Sequence, residues 1–95
     1  MKYSINLYNS DGAFEGTYGT DFVSTNTFIK AVKTMQEIEG EKDIEAIVTK
    51  LAKVVSYLIP CLDEATIMEK ADVSDLLNLV KQVVAKINGV EQPKN

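Results

Sequence analysis

Apolar residues alternate with polar ones from Tyr3 to Leu7 and recur at helical spacing from Phe28 onward. The chain therefore changes period once, from two to about 3.6. Residues 3–20 are predicted to form a β-hairpin. Asp11-Gly12 is a two-residue turn signal, because both central positions of a type I′ turn need φ > 0. With that turn the paired residue numbers sum to 23, so Ile5 faces Tyr18 and Leu7 faces Gly16. Tyr3, Ile5, Leu7, Phe14 and Tyr18 then share the buried face, with Tyr8 and Glu15 on the other. Gly16 and Gly19 weaken the second strand, and a two-stranded ribbon needs helices beneath it.

Four helices are predicted, at about 25–39, 43–59, 64–70 and 73–88. Ser24 is placed as the first N-cap, with Val23 and Phe28 as a hydrophobic staple across it, and Val32 and Met35 continue the stripe to a stop near Gly40. Asp43 caps the second helix, whose stripe is the broadest: Ile44, Ile47, Val48, Leu51, Val54, Val55 and Leu58. Pro60 ends it. Asp63 caps a short helix that buries Ile67, with Met68 as its second candidate for burial. Asp72 with Asp75 three residues on resembles a capping box with Asp in place of Glu. Behind it Val73, Leu76, Leu77, Val80, Val83, Val84 and Ile87 form the last stripe. Asn88-Gly89 is the expected stop, and residues 90–95 are a polar tail. The expected fold is α+β, mostly α: one hairpin packed on three main helices and one short helix, in a single domain over 1–89.

Composition narrows the function classes. Ten lysines stand against fourteen acids, for a net charge of −4, with no Arg, His or Trp. The usual general base, the bidentate anion clamp and the commonest metal ligand are thus missing together. An acidic chain without Arg lacks the footprint of a nucleic-acid binder. No run of apolar residues is long enough to span a bilayer and no apolar leader opens the chain, so the expectation is a cytoplasmic domain. One cysteine, Cys61, forms no internal disulfide. Between Ile59-Pro60 and Leu62 it is expected to be a buried structural thiol.

The motifs that suggest chemistry fail on spacing. Glu37, Glu39, Glu41, Asp43 and Glu45 alternate as calcium ligands do. Setting Gly40 at the glycine of an EF-hand loop, however, puts Met35 at the first ligand position, and Gly12 puts Leu7 there. A solvated acidic turn is the better reading. Gly12, Gly16 and Gly19 lack the strand-to-helix setting of a phosphate loop. In Asp72-Val73-Ser74-Asp75 the serine does not follow the acid directly, as it does in acyl carrier proteins, so capping explains it. No catalytic residue, cofactor or metal is expected, and the chain reads as a non-enzyme. Ile29, Tyr57 and Leu79 fall outside the core stripes of their helices. They are either ordinary exposed apolar residues or a second surface for a partner or for self-association.

The order of local strings is specific. A hairpin leads into Asp21-Phe22-Val23-Ser24, then a helix opening with Phe28 and ending in acids, then a long Ile/Val/Leu helix. Leu62-Asp63-Glu64 opens a short helix and Asp72-x-x-Asp75-Leu76-Leu77 the last. Over residues 2–89 this resembles the tail assembly chaperones of long-tailed phages and prophages of Gram-positive bacteria. The chain departs from the pattern in its more polar hairpin turn and in Pro60-Cys61, which replaces a Gly/Asn-type link. The resemblance implies a protein that binds the tape measure protein, recruits tail tube subunits, acts in the host cytoplasm and is absent from the mature virion. It also implies a longer product made by ribosomal slippage, since Pro93-Lys94-Asn95 can be encoded with A-AAA-AAC. The residues alone leave two other classes open: a small acidic inhibitor or nucleic-acid mimic, and a generic helical adaptor.

Overall fold

A computed structural model describes residues 2–91, and for residues 84–91 the course of the backbone alone. Strands β1 (Tyr3–Tyr8) and β2 (Phe14–Thr20) form an antiparallel ribbon. Helices α1 (Thr25–Gln36), α2 (Ile44–Leu58), α3 (Glu64–Lys70) and α4 (Val73–Glu91) follow. The fold is α+β and mostly α, as the periodicity predicts.

The hairpin reaches the expected register by an unexpected route. Within the turn only Gly12 has a positive φ, 83°, so the turn is not type I′. The Gly12 N–H donates to the Asn9 carbonyl and the Asn9 N–H to the Ala13 carbonyl, both at 2.9 Å. Asn9 Oδ1 accepts from the Asp11 and Ala13 N–H groups at 2.9 and 3.0 Å. This is a longer loop, a type I turn followed by a left-handed glycine. It sets Tyr8 opposite Phe14, and a bulge then brings Leu7 opposite Gly16 and Ile5 opposite Tyr18. The residue absorbed by the bulge is Glu15.

That bulge corrects the facial assignment. Phe14 joins Tyr8, edge to face at 6.1 Å, and is 61% exposed rather than buried. Glu15 turns instead to the helices and meets Lys70 at 2.8 Å. Tyr18 keeps its place opposite Ile5 but is exposed, because α3 and α4 pack against β1. Tyr3, Ile5 and Leu7 are buried there. Gly19 does more than weaken its strand: a Cβ on it would overlap the Tyr3 carbonyl and lie 2.8 Å from Ser4 Cβ.

The caps fall where expected. Ser24 Oγ accepts from the Thr27 N–H, and Asp43 and Asp63 accept from the Ala46 and Thr66 N–H groups. Val23 and Phe28 both pack against the core. Helix α1 stops at Gln36, short of 39, because the backbone tightens to i+3 bonds at Ile38 and Glu39 before Gly40 (φ 84°). At the start of α4, Asp72 Oδ2 accepts from the Ser74 N–H at 2.9 Å, but Asp75 does not reach back, so Asp72 caps the helix and the expected capping box does not form.

Helix α2 is central: it packs on α1, α3 and α4, and buries Leu51, Ala52, Val54, Val55 and Leu58. Ile44, at its first turn, is exposed and leaves the stripe, as Met68 does on α3. The larger correction is on α4. Leu79 is 2% exposed, a core residue, whereas Val73 and Leu77 are exposed at 56% and 41%. Helix α4 packs on both α2 and β1, so its buried face is Leu76, Leu79, Val80 and Val83. It also runs on to Glu91, so Asn88-Gly89 does not end it. The expected burial of Val84 and Ile87 and the tail from residue 92 lie outside the described residues.

These burials give opposite expectations for two neighbouring leucines. Leu79→Ala is expected to cost about 2–5 kcal/mol in urea unfolding, through lost burial and a cavity. Leu77→Ala is expected to cost about 1 kcal/mol or less. The reverse order would mean that α4 is rotated from the position described.

Candidate interaction surface

Of the three residues expected off the core stripes, two stay outside the core. Ile29 is 45% exposed on α1. Tyr57 is half-buried on α2, with Lys30 Nζ 4.7 Å above its ring. That cation–π contact, with the Lys50–Glu37 pair at 3.2 Å, ties α1 to α2 along their antiparallel hairpin. Tyr57 therefore has a structural task already. Leu79 is withdrawn from the set by its burial, and nothing brings the three together.

A better surface lies at the hairpin tip, and the pattern of the sequence missed it. Tyr8, Asn9 and Gly12 face Glu69, Lys70, Ala71 and Asp72 across a groove of about 520 Å³. An antiparallel bridge between Leu7 and Ala71 holds its floor. Phe14 leans on Tyr8 beside it. The one sequence signal for this site was the run of polar residues in the turn, which allows the longer loop and so forces the bulge. The groove mixes an aromatic wall with charges of both signs and has no side chain set for proton transfer.

The charged groups here serve structure. Lys70 is held above its ordinary value by the hydrogen bond from its ammonium to Glu15 and by the charge of that carboxylate. Asp63 is held below the ordinary 3.8 by the hydroxyl of Thr66 and then by the Thr66 N–H. In the acidic turn, Glu41 Oε2 accepts from the Lys42 and Asp43 N–H groups, Asp43 caps α2 and Glu37 pairs with Lys50. Among the described residues no three acidic or cysteine side chains gather as a metal site, and no helix is long and apolar enough to cross a membrane. Cys61 is exposed, contrary to expectation. The Leu62 N–H donates to the Ile59 carbonyl at 2.9 Å, so Ile59 and Leu62 turn inward and Pro60-Cys61 forms the outer side of the bend.

Compared with protein-family models, curated proteins and solved structures, the chain matches none.

Two measurements check this description. Native protein is expected to react with a thiol reagent such as DTNB at one site without denaturant, and a thiol revealed only on unfolding would contradict the exposed bend. The Asp63 carboxylate, followed by NMR, is expected to titrate below 3.8. Its pKa is depressed on folding, so its cap on α3 is fully present above the unfolded value and is lost as pH falls through the folded one. A midpoint at or above 3.8 would remove that cap from the account.

Proposed function

We propose that this protein is a non-enzymatic assembly chaperone for the tails of long-tailed phages, working in the host cytoplasm and holding the tape measure protein for the tail tube. The observation that supports it most is the exposed Phe14, set edge to face against Tyr8, which lines the hairpin-tip groove. An acidic helical domain that leaves an aromatic pair in the open suits capture of an amphipathic client helix. The folded order of hairpin, α1, α2, short α3 and α4 is also the order on which the resemblance rests. Lysine and acid side chains around the groove give its rim polar character, as a reversible interface requires.

In this reading Tyr8 and Phe14 form the apolar wall of the client site, while Ile29 and Tyr57 are secondary contacts at most. The tail tube protein would bind elsewhere on the domain, or on the longer product that the resemblance implies.

Co-expression with a tape measure protein from a long-tailed phage tests the proposal. The client is expected to stay soluble and co-purify with this chain. Phe14→Asp is expected to reduce the captured client about tenfold or more, given the ordinary weight of an aromatic anchor. It should leave the helical far-UV signal unchanged, since Phe14 lies outside the core. Full capture by Phe14→Asp moves the client site away from the hairpin tip, and failure of wild type to retain any such client rejects the chaperone reading.

A further inference from the structure

Strand β1 has two edges. One is paired with β2, and the other faces α4. This second edge is closed at both ends: Gln82 Nε2 donates to the Lys2 carbonyl at 2.7 Å, and Leu7 bridges to Ala71. Between the two closures, strand residues Ser4–Asn6 and the first turns of α4 surround a cavity of about 200 Å³. Asp75, Asn78 and Gln82 line its helical side, three and seven residues on from the first, so they share one helix face.

Among the described residues the lining carries one negative charge and no positive one. The Gln82 amide gives one of its two N–H groups to Lys2 and keeps its Oε1 as an acceptor. Asn78 adds a second side-chain carbonyl beside its own NH2 group. Asp75 adds a carboxylate whose Oδ2 is shut off from solvent with no hydrogen-bond donor among the described residues. Among the described residues no lysine borders the cavity to neutralise it. A buried carboxylate oxygen without a donor is costly, and a cation with several N–H groups relieves that cost.

We propose that this cavity receives the guanidinium group of an arginine side chain carried by a partner polypeptide. A guanidinium presents five N–H donors in a fixed plane and is more weakly hydrated than an ammonium, so it can serve the Asp75 carboxylate and the neighbouring carbonyls together and enter at a lower desolvation cost than an ammonium. An ammonium is compact and strongly hydrated and suits a spread of acceptors less well. Leu79, at the base of the cavity, supplies an apolar surface for the aliphatic stem. This chain contains no arginine, so the occupant comes from another kind of molecule and not from a second copy. The inference does not depend on the chaperone reading, since the cavity shares no lining residue with the hairpin-tip groove.

Titration of ¹⁵N-labelled protein with N-acetyl-arginine methylamide tests it directly. Saturable shifts are expected at residues 4–6 and 75–82. Asp75→Asn, which keeps the size of the side chain, is expected to weaken binding at least roughly tenfold by removing the charge-assisted bonds. Asn78→Ala, farther from the cap of α4, is expected to weaken it by a smaller factor with the fold intact. N-acetyl-lysine methylamide is expected to bind several-fold less well than the arginine compound. Absence of saturable shifts, undiminished binding by both variants, or equal binding of the lysine compound overturns the assignment.

Discussion

The burial of α2 is the condition on which the other elements depend. A two-stranded ribbon, a seven-residue helix and a peripheral α1 are each too small to hold their shape alone. Ala52 and Val55 are fully buried and Val54 nearly so, and this surface is shared among α1, α3 and α4. Two alanines, Ala31 and Ala52, are at most 1% exposed, and side chains this small let helices approach closely. Strand β1 then lays Tyr3, Ile5 and Leu7 against the helices that α2 has positioned. Each fully buried aliphatic side chain of this kind contributes about 1.5–3 kcal/mol. The ribbon therefore borrows its stability from the helices, and β2, one layer removed, is left free to carry exposed aromatics.

The elements of this fold were legible because each carries its own local signal. Ser24, Asp43 and Asp63 mark helix starts by chemistry that acts within three residues, and every one of them caps as expected. Ile5 against Tyr18 was legible from alternation. What the sequence did not disclose is how many neighbours an element has. On α4, Leu79 lies ~60° to one side of Leu76, and Leu77 lies ~100° to the other. A single partner helix would favour a stripe centred on Leu76 and Val80 with Leu79 at its border. Two partners, α2 and β1, widen and rotate the buried arc to take in Leu79 and release Leu77.

The candidate site was less legible than the fold for a related reason. Ile29 and Tyr57 were found by subtraction, as apolar residues left over from a stripe. Subtraction cannot see that Lys30 covers the Tyr57 ring. Phe14 was hidden by the opposite error, since strict alternation assigned it to the core. One added residue in the loop and one absorbed in the bulge cancel in the pairing of Ile5 with Tyr18. They do not cancel between those two points, where Phe14 and Glu15 exchange faces. A register that is right in the middle of a hairpin thus says nothing about the side chains nearest its turn.

The same local logic gives Asp75 its interest. Acids dominate this chain, yet many have identifiable work: Asp43, Asp63 and Asp72 hold helix starts, Glu41 ties its own turn, and Glu15 and Glu37 pair with lysines. Asp75 stands at the position where a capping box would complete itself, and Asp is shorter than the Glu that normally reaches back to the cap. A side chain one methylene too short for its structural role leaves a carboxylate facing the β1 edge with no donor among the described residues. Asn78 and Gln82 follow it on the same face, and a strand edge runs opposite. The shortfall in capping and the negative charge of the cavity thus have one cause, the choice of Asp at the third position of α4.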